Sequence, residues 1–334
     1  MSRTFKLKLT GILALVLSTS LALGILVSCV VVTQEPAQDD ETEHRWPSPP
    51  DGSFVSVSVG WIHACGVRPD GSVVCWGYDG HGEASPAAGT FVSVSAGTHH
   101  TCGVRRDGWI SCWGYSGHGQ SRPPTGTFAS VSAGGPHTCG IRPDGSVACW
   151  GSNRDWDDEF RGLATPPAGS FASVSAGDGH TCGVRTNGSV ACWGNDEFGQ
   201  SSPPAGSFTS VSAGFEYTCG VRTDGSVACW GNDGEGQSSP PVGSFASVSA
   251  GFEYTCGVRT EGSIVCWGWG YGEHGATQPP DGSFASVSAG GGYVCGVRMD
   301  GSIVCWEDKG IIVVIDDLQG WFDYLLRGRR NHQG

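Results

Sequence analysis

Residues 208–230 read Phe-Thr-Ser-Val-Ser-Ala-Gly-Phe-Glu-Tyr-Thr-Cys-Gly-Val-Arg-Thr-Asp-Gly-Ser-Val-Ala-Cys-Trp, and Pro240-Pro241-Val242-Gly243 follows after a variable stretch. The same unit occurs seven times, led by Phe54, Phe91, Phe128, Phe171, Phe208, Phe245 and Phe284. Its period is 37 residues, with 6 extra in the third unit and 2 in the sixth, which marks a solenoid, propeller or array. In the first unit the pattern predicts strands over Phe54–Val59, Ala64–Arg68 and Ser72–Gly77, with a weaker fourth extended piece before the paired prolines. Four short strands per unit make a propeller blade. Arg68-Pro69-Asp70-Gly71-Ser72 suits a three-residue hairpin loop with Gly71 left-handed, so the second and third strands are antiparallel neighbours.

The two ends of the array complement each other. The seventh unit stops at Trp306 without the ending seen at Gly199–Phe208, and Arg45–Phe54 reads as that ending placed before the first unit. A closed ring accounts for this, because an N-terminal segment then completes the last blade and covers its sheet edge. The expected architecture is an all-β, seven-bladed propeller over residues 45–306, closed by residues 45–52. Composition agrees: 55 Gly, 18 Pro and 2 Met among 334 residues, with 15% charged against about 25% in an ordinary domain, disfavour a helical bundle. The apolar content is rich in Val, Phe and Trp, which suits short strands and tight turns better than disorder.

Residues 1–28 start basic and continue as an apolar run from Leu9 to Val27, an export signal. Leu26-Val27-Ser28-Cys29 resembles a bacterial lipobox, which makes Cys29 the lipidated N-terminus of the mature chain. An uncleaved membrane anchor is the alternative, since the run approaches the roughly 20 residues that span a bilayer. Residues 29–44, polar and mostly acidic from Glu35 to His44, read as a flexible tether. The net charge of −13 becomes −16 from Cys29 onward, because Arg3, Lys6 and Lys8 precede it and no acid does. Nucleic acid is a poor partner for such a chain.

Beyond Cys29, the cysteines form one pair per unit: Cys65 and Cys75, Cys102 and Cys112, Cys139 and Cys149, Cys182 and Cys192, Cys219 and Cys229, Cys256 and Cys266, Cys295 and Cys305. Counting back from the hairpin places each pair opposite one another at a non-hydrogen-bonded position, so seven cross-strand disulfides are expected outside the cytoplasm. Metal binding through His-x-Cys is the rival. It fails on the count, because His63, His100, His137 and His180 are replaced by Tyr217, Tyr254 and Tyr293 in the other units. These residues are expected to be loop-shaping hydrogen bonders. The Trp after each second Cys points to the other face of its strand and is expected to pack between blades.

The run Cys219–Gly231, followed by Gly236-Gln237, resembles the regulator of chromosome condensation repeat over about residues 45–306. That resemblance implies a seven-bladed propeller. It leaves function open, since such proteins include a nuclear guanine-nucleotide exchange factor, ubiquitin-ligase modules and a secreted bacterial β-lactamase inhibitor protein; the export signal makes the last branch the nearest in setting.

If strands alternate in direction, almost all sequence variation falls on one face. Its loops carry Trp61, Ile62, Tyr78, Tyr115, Trp156, Phe160, Phe198, Phe215, Phe252, Trp269 and Tyr271 among acids that include Asp178, Glu216 and Glu253. Aromatic anchors among polar residues suit a protein-binding patch; the alternative is that each aromatic folds onto its own loop. The insertion Asn153–Glu159 lacks the spacing and central Gly of a calcium loop, and no metal, cofactor or catalytic residue is expected. After Trp306, residues 307–334 read as an extension: a strand at Ile311–Ile315, then Leu318, Trp321, Phe322, Leu325 and Leu326 at helical spacing. The expected function is non-enzymatic binding of a macromolecule, a protein first, by a membrane-anchored chain outside the cytoplasm. Inhibition of a secreted enzyme, carbohydrate binding and, by resemblance alone, nucleotide exchange are the alternatives.

Overall fold

The leading Phe of each unit lies flat on the Gly of the neighbouring strand: a Cβ on Gly103 would come within 2.6 Å of Phe91 Cδ1. Reaching that position bends the strand in five units, where the register shifts after the Phe and the next residue bulges out. The computed structural model describes residues 48–155, 157–269 and 278–307. Each unit is an antiparallel three-stranded sheet in sequence order. The first contains β1 (Ser56–Val59), β2 (His63–Val67) and β3 (Val73–Gly77), and the seventh contains β19 (Phe284–Ala289), β20 (Tyr293–Arg298) and β21 (Ile303–Glu307). The Asp-Gly turn forms as expected, with Gly71 at φ 87° and Ser72 N donating to Asp70 Oδ1 at 2.8 Å.

Seven inter-sheet hydrogen bonds run around the axis. Trp61 N donates to Gly97 O, Thr98 to Gly134, Gly135 to Gly177, Asp178 to Gly214, Phe215 to Gly251, Phe252 to Gly290, and Gly291 back to Gly60, all at 3.0–3.3 Å. The belt is therefore circular. Only Gly fits its acceptor positions, since a Cβ on Gly97 would run into the Gly134 carbonyl. A second belt uses the last Ser of each Ser-Val-Ser, whose Oγ accepts from the next blade's backbone, from Ser58 to Ala96 N through to Ser288 to Val59 N, both 2.9 Å.

One expectation needs correction. The fourth strand does not form: among the described residues every sheet has three strands. That stretch folds as turns, Gly82 N to Asp79 O and Ser85 N to Gly82 O in the first unit, and its prolines have no N–H to give a ladder. Residues 48–52 form no strand of their own. Instead the Asp51 carbonyl accepts from Arg68 Nη2 at 2.8 Å, as the equivalent carbonyls of later units accept from Arg105 and Arg185. Arg45, Trp46 and Pro47 lie outside the described residues, as do the expected export signal, Cys29, the expected tether and residues 308–334.

All seven expected disulfides are formed, with Cα atoms 4.0–4.1 Å apart. Each closes a hairpin with a sequence separation of 10, worth roughly 2–3 kcal/mol by loop-closure entropy. The Trp residues pack between blades as expected: Trp113 of the second blade lies against Cys65 and Cys75 of the first. The histidines do more than shape loops. His63, His100, His137 and His180 are fully buried, and their Nε2 atoms lie 2.6–2.7 Å from Thr101, Thr138, Thr181 and Thr218 Oγ1 of the next blade. Where Tyr replaces His, the Tyr217 hydroxyl donates to the Tyr254 carbonyl at 2.6 Å.

Candidate binding face

The chain enters and leaves each sheet so that two variable loops meet at one end: Tyr78 N donates to Ile62 O, and Trp269 N to Glu253 O, both at 2.8 Å. At the axis of this end the residues that follow the seven belt glycines converge. They are Trp61, Thr98, Gly135, Asp178, Phe215, Phe252 and Gly291, and they cap a channel of about 90 Å³ lined by Val59-Gly60 of the first blade and the small Ala-Gly pairs of the other six. Three are aromatic and pack together, Trp61 with Phe252 at 4.7 Å and Phe215 with Phe252 at 4.6 Å between ring centroids. Gly291 gives the Trp61 ring its room. Opposite them Thr98 Oγ1 donates to Asp178 Oδ1 at 3.2 Å.

Around this cap the face is acidic. Burial, then the charges of Glu235 and Glu216, raises the Glu253 carboxyl to about 7, and Asn232 Nδ2 donates to Glu216 Oε2 at 2.9 Å. The exposed aromatics lie further out. Phe160 is 69% and Phe198 42% exposed, on neighbouring loops whose Arg161 and Glu197 charges interact. Phe160 is held out by a small hairpin: it bridges Arg154, and Asp155 accepts from Asp157 N, Glu159 N and Arg161 Nε. That carboxylate is thus occupied as a cap.

The structure sorts the expected site residues into groups. Trp61, Phe215, Phe252 and Asp178 form the cap, while Phe160, Phe198 and Tyr78 are exposed. The tyrosines follow the loop-packing alternative, since Tyr78 lies against Gly80 and Tyr115 against Gly117, with Tyr115 also against His81 at 5.2 Å. Ile62, Glu216, Glu253 and Trp269 are half-buried, and Trp156 and Tyr271 lie outside the described residues. Trp109, outside the repeat pattern, stands exposed on the opposite, turn-bearing face. The axial channel and the Thr98–Asp178 bond were missed, although residues 61, 98, 135, 178, 215, 252 and 291 share one repeat position.

No curated protein matches the sequence. Among solved structures, the ectodomain of the Physcomitrella patens receptor kinase CR4 is similar at TM-score 0.65 and 26% identity, covering 77% of this chain and 74% of that one. The CRINKLY ectodomain of the Arabidopsis thaliana receptor kinase ACR4 gives 0.64 and 28%, covering 79% and 100%. Prp20p from Saccharomyces cerevisiae, described with its binding to Gsp1p and histones, gives 0.61 and 15%, covering 81% and 85%, a likeness of fold alone. The Regulator of chromosome condensation (RCC1) repeat matches residues 54–83, 91–120, 128–155, 171–200, 208–237 and 245–275, and the sheet of β19–β21 supplies a seventh unit of the same build. With these repeats covering more than half of its length, the chain belongs to the RCC1 repeat family.

Proposed function

We propose that this protein is a non-enzymatic propeller, exported and lipid-anchored through Cys29 on a tether of residues 29–44, that binds a protein partner with its variable loop face. The observation that carries the reading is the pairing of exposed Phe160 and Phe198 with an acidic sector. Residues 195–207, 214–216, 232–244 and 251–253 hold Asp196, Glu197, Glu216, Asp233, Glu235 and Glu253 without a Lys or Arg. A partner with a basic, partly apolar surface fits that field. Seven disulfides and the likeness to receptor ectodomains support an extracytoplasmic setting. An enzyme inhibitor of the β-lactamase-inhibitor kind is a special case, in which the partner is a secreted enzyme.

The test is affinity capture with the full chain, comparing Phe160→Ser/Phe198→Ser with Asp224→Lys on the opposite face. Exposed anchors contribute about 2 kcal/mol or more to binding and less than about 0.5 kcal/mol to stability. The double variant is expected to lose capture at an unchanged melting temperature, and Asp224→Lys to retain it. The reverse pattern places the binding surface on the wrong side. Binding to a glycan array with no protein captured supports the carbohydrate alternative instead.

A further inference from the structure

The axial mouth of the loop face joins two kinds of wall in one cavity. On one side stand the rings of Trp61, Phe215 and Phe252, each half-buried, with centroids 4.6–6.0 Å apart. On the other stands the Asp178 carboxylate, one oxygen of which accepts from Thr98 Oγ1 at 3.2 Å. All five residues line the same cavity, which is open rather than enclosed. The rest of its lining is Val59, alanine and glycine, and the belt N–H and carbonyl groups there already pair with one another. Its floor therefore offers apolar contact. No Lys, Arg or His lines it, while Glu216 and Glu253 directly follow two of the rings and, with Glu235, crowd enough negative charge together to push the Glu253 carboxyl up. The mouth lies in a field that favours a cation.

We propose that this mouth binds an alkylated ammonium head, a trimethylammonium group above all, held against the aromatic wall with Asp178 as its counter-ion. The ring quadrupoles attract a cation that comes within about 6 Å of a centroid. The number of hydrogen-bond donors then selects which cation. A bare lysine ammonium brings three N–H donors and a tight hydration shell, and the side chains of the mouth meet it with one carboxylate whose first oxygen already serves Thr98. Alkylation removes those donors, spreads the charge and turns the head's surface apolar, so that it suits the Ala-Gly floor. Arginine, with five donors, fits worse, and a sugar would bury several hydroxyls without partners. Size agrees with this choice. A cavity of about 150 Å³ holds benzene, or about 25 Å³ for each heavy atom. On that scale a cavity of about 90 Å³ takes about four heavy atoms, a nitrogen with three methyls, and the rest of the ligand projects from the open end.

This inference stands apart from the role of Phe160 and Phe198, because a small cation tests it without any partner. The experiment is an NMR titration of the full chain, read at the Trp61 indole N–H signal, which is assigned through Trp61→Leu. The ligands are choline chloride and its uncharged isostere 3,3-dimethyl-1-butanol, with ionic strength held constant by NaCl. Choline is expected to bind at least tenfold more tightly than the alcohol. Asp178→Asn keeps an oxygen to accept from Thr98 and removes the charge, and it should weaken choline at least tenfold at an unchanged melting temperature. Asp224→Asn, on the opposite face, should leave the affinity as it is. Nα-acetyl-lysine amide should bind at least tenfold more weakly than its trimethyl form, and the tighter of that trimethyl form and choline tells whether the head comes on a peptide or on a free solute. Equal binding of the alcohol would mark a merely apolar pocket, and equal weakening by Asp224→Asn a diffuse field; either overturns the proposal. So does a Trp61 signal that stays still at millimolar choline, and the comparison of choline with the alcohol stands even if the Asp178 variant fails to fold.

Discussion

Acidification from pH 7 to pH 5 should destabilise this propeller strongly, and the cause is a set of four buried imidazoles. The Thr101, Thr138 and Thr218 hydroxyls donate to the carbonyls of Glu83, Gln120 and Gln200. They must therefore accept from the His63, His100 and His180 Nε2 atoms, which fixes those rings as the neutral Nε2–H tautomer. Their Nδ1 atoms, and that of His137, are buried without a partner, so a second proton would add both a charge and an unmet donor. Burial pushes His63, His100 and His180 down to about 3 and His137 to about 4, from 6.5.

For such groups the unfolded chain binds the extra proton first, so stability is present above 6.5 and falls as pH drops toward the folded value. An unfolded histidine at 6.5 draws about 0.2 kcal/mol toward unfolding at pH 7 and about 2 kcal/mol at pH 5. Four of them therefore cost about 7 kcal/mol over this interval. Glu253 acts in the opposite sense. Its folded value is raised to about 7, so protonation stabilises the fold as pH falls, by an amount on the order of one histidine. The net loss of about 5 kcal/mol is comparable to the whole stability of an ordinary domain. Denaturant titrations at pH 7, 6 and 5 without reductant, followed by Trp fluorescence, should show the midpoint falling steeply below pH 6.5. Imidazole resonances that titrate near 6.5 in the folded protein, with an unmoved midpoint, would refute the reasoning.

Three further outcomes are open to direct test. Intact mass of the repeat region under denaturing, non-reducing conditions should be 14 hydrogens below the reduced value, with Cys182 joined to Cys192 in peptide maps; free thiols in most blades would contradict this. Gly97→Ala should cost about 1–3 kcal/mol by forcing a Cβ against the next blade's carbonyl, whereas Gly292→Ala, with open space around it, should be nearly neutral in thermal melts. Cys29→Ala should leave a precursor that is unprocessed or released from the membrane fraction, and retention of a wild-type chain whose N-terminus is also unprocessed would favour the uncleaved anchor.

What could be read in the sequence was what one unit determines by itself. The Asp-Gly turn and the Cys pair opposite one another depend on a dozen contiguous residues, and both formed as expected. The stretch before the paired prolines reads as a fourth, weaker extended piece, yet it folds as turns, and the prolines that follow have no N–H to give a ladder. Bonds between units left weaker marks. Thr101, Thr138, Thr181, Thr218 and Thr255 each follow the His or Tyr of the repeat, but nothing local says that the His partner lies 38 or 44 residues away. The aromatic cap shows the general rule. Trp61, Phe215 and Phe252 looked like separate anchors on three loops, although they share one register. In a closed ring, every residue at an axial register is a neighbour of its counterparts in other blades. Equivalent positions in such a repeat should therefore be read as a possible cluster at the axis before they are read as independent contacts with a partner.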